Sequence, residues 1–213
     1  TSLGTSAGGG VSGGNDNVCL GVETGNYGVV LTTGSRNILI GNYAHGPDAA
    51  SADAIVLGYN VGGANSTLSF GNATTDSRIA FGATSISAPS DIRLKRNIND
   101  DVAGLSFIND LRPVTYEWKK EKDIPEDMQA HVADSEKTFN NDFVNHGFIA
   151  QEVKEVIDNH SEIKDGFKMW FEDDVDGRQR IAEGALVPML VKAVQELSAK
   201  NDALLARIET LEG

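Results

Sequence analysis

Ser90-Asp91-Ile92-Arg93-Leu94-Lys95 separates two stretches of unlike chemistry. Upstream, residues 1–89 hold 17 of the 23 glycines and only two basic residues, Arg36 and Arg78, against five acids. Such a composition disfavours helices, because glycine loses the most backbone freedom on ordering. Within it a short pattern recurs, a few apolar residues closing on glycine: Asn17 to Gly21, Asn37 to Gly41, Ala54 to Gly58, Thr67 to Gly71 and Arg78 to Gly82. The intervals between these glycines shrink from 20 to 17, 13 and 11 residues, so the repeat is degenerate, with loops of variable size. Each run is of strand length, rich in Ile, Val, Leu and Phe, and bounded by residues that tolerate turns and positive φ.

Runs this short, isolated by loops, are expected to leave their apolar faces and strand edges uncovered in a single chain. Winding several copies about a common axis answers both problems. The first stretch is therefore read as an intertwined trimeric β-fibre, triple β-helix-like, with a monomeric β-solenoid or a disordered linker as the alternatives. Contacts between chains are nonlocal, so something must first hold the copies in register.

The far end of the chain offers such a device. Apolar residues fall at Val187, Leu190, Val194 and Leu197, then Leu204, Ile208 and Leu211, with Asn201 between, in alternating steps of three and four. That spacing is a coiled-coil seam, and a polar Asn201 at a core position fixes register and stoichiometry at some loss of stability. The alternative is an amphipathic helix docked on its own domain. Pro188 suits a first helical turn, where its missing N–H costs little. Between the hexapeptide and the heptads lies a compact α+β unit. Val102 to Leu111 has helical spacing, and Val114 to Trp118 alternates as a strand after Pro113. Residues 119–141 read as a long polar loop, and an amphipathic helix runs from Phe148 to about Ile157. Asp176-Gly177 marks a hairpin between Phe167–Phe171 and Arg178–Ile181. The expected fold is thus mixed: a β-fibre end over residues 1–89, then an α+β domain over 90–213, with globular part 90–186 and coiled-coil helix 187–213.

Composition excludes several functions. A net charge of −13 speaks against nucleic acid as a partner. No run reaches the roughly 20 apolar residues of a membrane span, and the first residues lack the basic flank and apolar core of a signal peptide, so no membrane partner is expected and the chain reads as a soluble piece of something longer. Cys19, the single cysteine, sits in an apolar run and reads as a buried small side chain. Asn65 and Asn72 match the glycosylation pattern by chance in an Asn- and Thr-rich stretch. Glu172, Asp174, Asp176, Gly177 and Glu183 fall at calcium-loop positions. Glu stands where Asp is expected, however, Gln179 replaces an apolar residue, and strands flank the loop. The histidines at 45, 131, 146 and 160 show no zinc-ligand spacing. No metal and no cofactor is expected.

Four motifs in order, Ser90 to Ile98, Leu111 to Trp118, His146 to Val153 and Leu186 to Leu197, resemble the C-terminal intramolecular chaperone domain of bacteriophage tail spikes and tail fibres, the peptidase S74 family of endosialidase-type chaperones. The resemblance covers residues 90 to about 200. It implies a homotrimer that templates folding of an upstream β-fibre and then releases itself by autoproteolysis, an endopeptidase of one turnover acting on its own chain. It further implies a virion tail fibre or spike, assembled in the host cytoplasm, whose fibre segment meets a host-cell receptor or glycan.

Carried over, Ser90 becomes the nucleophile and Lys95 its general base. A serine hydroxyl needs an adjacent base, and a lysine must be neutral to act as one. A free lysine near 10.4 is charged at pH 7, so burial or the neighbouring Arg93 and Arg96 would have to lower it by roughly 2 to 3 units. Attack of Ser90 Oγ on the Pro89 carbonyl passes through a five-membered ring and favours the Pro89–Ser90 bond, with Ser90–Asp91 as the alternative. Asp91 and Arg93 are read as holding the loop. His146 either orients a catalytic group or packs. A non-cleaving structural fibre or adhesin tip is the competing function.

Overall fold

The computed structural model describes residues 1–212. The chain divides into two compact units, Thr1–Ile98 and the remainder from Asn99.

In the first unit, six strands form one sheet in chain order: β1 (Ser2–Leu3), β2 (Val18–Leu20), β3 (Ile38–Ile40), β4 (Ile55–Tyr59), β5 (Thr67–Asn72) and β6 (Thr75–Ala80). The first five pair in parallel, each with its predecessor, so the apolar runs stack as successive rungs of a β-solenoid-like coil. Here the expectation of strands pairing between chains is corrected: the sheet partners are successive runs of one chain. The loops bring each run back beside the last, and left-handed residues make this return possible. Asp16, Arg36, Asp53 and Ser66 stand at φ near +57° just before β2 to β5.

Register places Cys19, Leu39 and Val56 in one inward column, and Leu31, Ala44 and Val61 from the loops close the interior over them. Each of the buried Leu and Val side chains contributes about 1.5–3 kcal/mol on leaving water. The asparagines that open the runs are also structural. Buried Asn37 donates to Asn17 Oδ1 (2.9 Å) and to the Ser51 carbonyl (2.7 Å), and its Oδ1 accepts from the Ala54 N–H (3.0 Å). The closing glycines form a column of their own. Gly41 sits at φ +121°, and a Cβ there would stand 2.1 Å from the Gly58 carbonyl oxygen, so no side chain fits. The fifth run, Arg78 to Gly82, does not make another parallel rung. The chain reverses at Ala73, and β6 lies antiparallel on β5.

The second unit is a small α+β core. It comprises α1 (Leu105–Asp110), β7 (Val114–Tyr116), β8 (Asn145–Gly147), α2 (Ala150–Asn159), β9 (Trp170–Glu172), β10 (Gln179–Ile181) and α3 (Val187–Glu212). β7 pairs with β8 and β9 with β10, both antiparallel, the second hairpin turning at Gly177 with φ +66°. Phe107, Val153, Ile157, Met169, Leu186 and Met189 are buried together. Glu196 on α3 caps α1 by accepting from the Leu105 N–H (2.9 Å), and the bare Gly104 leaves room for it. Residues 119–141 form the expected loop, with a 3₁₀ turn at Glu121–Asp123 and Glu136 held between Lys120 and Lys122.

Within α3 only Met189 and Ala193 are buried, one turn apart on the face that meets its own unit. Val187, Leu190, Val194, Leu197, Asn201, Leu204, Ile208 and Leu211 are all exposed. No helix among the described residues is long and apolar enough to cross a membrane.

Candidate functional site

The hexapeptide folds around a single 3₁₀ turn, Ile92–Leu94. Asp91 caps it, its Oδ1 accepting from the Arg93 N–H (2.8 Å), while the Arg93 guanidinium folds back on the same carboxylate. That hydrogen bond holds the Asp91 carboxyl below the usual carboxylate range and Arg93 above its own. The Lys95 N–H closes the turn on the Ile92 carbonyl (3.1 Å). One tight turn between residues five apart brings the side-chain ends together, and Lys95 Nζ donates to Ser90 Oγ at 2.7 Å.

Just upstream, Ser87 exchanges both backbone hydrogen bonds with Arg78 of β6 (2.7 and 2.8 Å), so the segment entering Pro89 is stitched to the sheet. Everything from Phe81 to Asp100 is exposed, Ser90 and Lys95 included. His146 lies on β8 opposite Thr115, beside a surface cleft it shares with Pro113, Phe148 and Glu183.

Two of the four motifs converge in the second unit. Tyr116 to Lys119 and Gly147 to Gln151 line a cavity of about 850 Å³ together with Phe171 and Arg178. Trp118 Nε1 and Arg178 Nε are buried there without a hydrogen-bond partner. The acids of the β9–β10 turn face arginines: Asp173 pairs with Arg180 and Asp176 with Arg178. Among the described residues no cluster of His, Cys, Asp and Glu is arranged to hold a metal ion.

Sequence reasoning passed over His160. At the C-terminal end of α2 its ring lies between Glu162 (Nδ1–Oε1 2.8 Å) and Asp110 (Nε2–Oδ2 2.9 Å), edge-on to Phe107. Hydrogen bonds to Glu162 and then Asp110 raise its pKa above the ordinary histidine value. Asp110 is fifty residues away in sequence, so no local spacing signals the contact.

The chain thus carries a stacked β coil, then a serine–lysine contact, then a small α+β unit with a long, half-naked helix. Residues 90–162 match the Peptidase_S74 family model, described as chaperone of endosialidase, so this stretch carries a domain of that kind. The match begins at Ser90 and ends just past α2, taking in Lys95, α1, β7 and β8. No curated protein and no solved structure matches the chain.

Proposed function

We propose that the chain is a self-cleaving intramolecular chaperone joined to the end of a phage tail fibre or spike, acting as a homotrimer. The contact of Lys95 Nζ with Ser90 Oγ, at the first residue of the chaperone-of-endosialidase match, carries this reading. The Ser90 hydroxyl proton passes to Lys95, and Oγ attacks the Pro89 carbonyl carbon. The Pro89–Ser90 C–N bond breaks as the Ser90 nitrogen takes a proton, leaving an ester. Water then hydrolyses the ester to a Pro89 carboxylate and a free Ser90 amine. Asp91 and Arg93 position the turn, and Ser87 holds the acyl side.

Trimerisation rests on α3. From Leu197 to Glu212 the helix is exposed on every side, and four solitary turns bearing Leu204, Ile208 and Leu211 do not hold in water alone. Partner helices meeting along the Val187-to-Leu211 seam would cover them. Assembly would also supply the dry setting that general-base chemistry needs, since both side chains of the dyad are exposed in the single chain. Cutting would then report correct assembly. The three copies held by α3 would align their coils before the rungs stack, and the finished fibre end would face a host receptor or glycan on the virion.

Denaturing gels of freshly expressed chain test this. Two fragments are expected from the wild type, with the larger, residues 90–213, beginning at Ser90, and a single band from Ser90→Ala and from Lys95→Ala. An uncut wild-type trimer would instead make the protein a permanent fibre or adhesin tip.

A further inference from the structure

Strand residues two apart share a face, so the inward column of Cys19, Leu39 and Val56 is flanked by two outward ones. The first runs Val18, Ile38, Ile55, Leu68 and Ile79; the second runs Leu3, Leu20, Ile40, Leu57 and Phe70. All ten side chains are apolar, and none is buried: Leu3 is 73% exposed, and Ile38, Ile40 and Leu57 are each 38% exposed. A half-solvated sheet ordinarily turns polar residues outward. This one is apolar on both faces.

We infer that the outward face of the β1–β6 sheet is where copies of the coil stand side by side, each complete in its own strand pairing, with Ile40 and Leu57 near the middle of the contact. The inference rests on the trimer proposed above and names the surface that the first unit brings to it. Two observations favour another copy over a foreign partner. The face offers on the order of 500 Å² of apolar surface, a patch large enough to mark an interaction site but short of the ~800 Å² per partner that holds a free complex together. A copy already tethered through α3 needs no more, because tethering raises its effective concentration to the millimolar range. Charge agrees with this. Chains carrying −13 each repel one another, and neither column holds a charged residue, so like copies meet here without opposing charges.

The test uses purified full-length chain with Cys19→Ala and Ser90→Ala, the second keeping the two units joined. Into this go Leu57→Cys, Ile40→Cys or, as an exposed loop control, Thr33→Cys. Sedimentation gives the oligomeric state, and the rate of maleimide labelling reports whether each thiol is covered. The expected result is a trimer in which Cys at 57 and 40 reacts at least tenfold more slowly than at 33, the difference vanishing in denaturant. A trimer labelled equally fast at all three positions overturns the inference while leaving the α3 trimer intact. A monomer overturns both, and a monomer with slow labelling at 57 shows the face covered by its own chain.

Discussion

The two units keep order in opposite ways. In the first, almost every constraint comes from the neighbouring rung: Asn37 bonds to Asn17 and Ala54, and Gly41 abuts Gly58. Such a stack behaves as a one-dimensional array, and a fault in one rung is felt by its neighbours first. In the second unit the deciding contacts join distant segments. Leu105 meets Glu196, ninety-one residues on, and His160 meets Asp110, so this unit assembles as a whole or not at all. Regular short-range stacking can start at any rung and spread to its neighbours, whereas a nonlocal core forms as one unit.

Substitutions can break that contrast. Gly41→Val should cause the greatest damage, more than about 4 kcal/mol, since it combines a blocked approach to Gly58 with a conformation closed to branched residues. Calorimetry should show the transition of the first unit lost while that of the second keeps its midpoint. Loss of both transitions would mean that the units do not melt independently. Phe107→Ala, in the middle of the second core and wholly buried, should cost about 3 kcal/mol through the cavity left behind. On the proposed chaperone role it should also lower the yield of folded first unit in freshly expressed chain.

His160→Gln should have the smallest effect, visible mainly as a pH dependence. The folded pKa of His160 is raised, so the stability it contributes is fully present below the ordinary value near 6.5 and fades as pH rises through the raised one. Urea midpoints of wild type and variant should therefore lie further apart at pH 6 than at pH 9. A gap that is constant with pH would mean that the ring acts through packing on Phe107 alone.

Much of this arrangement was legible in the residues. Four of the five glycine-closed runs are β2 to β5, the helix begins at Val187 where the heptads begin, and the Asp176-Gly177 hairpin forms between β9 and β10. What stayed hidden was the return path of the loops. Nothing in the composition of Arg36 or Tyr43 announces the left-handed conformation each adopts, and without those turns the runs look too isolated to pair within one chain. β1 is two residues long and β8 three, below the length at which alternation is readable. The reversal into β6 replaced an expected repeat because Asn72-Ala73-Thr74-Thr75 makes a tight turn. At the candidate site, the serine and lysine types came from motif resemblance. Their meeting depends on the Asp91 cap, which a five-residue interval does not reveal by itself.

The antiparallel seating of β6 gives the coil a direction of growth. A parallel rung presents the same backbone pattern on either side and can be copied indefinitely, whereas β6 offers a different pattern, already partly claimed by Ser87. Further parallel rungs can be added only beside β1, so the coil is a column with one finished end.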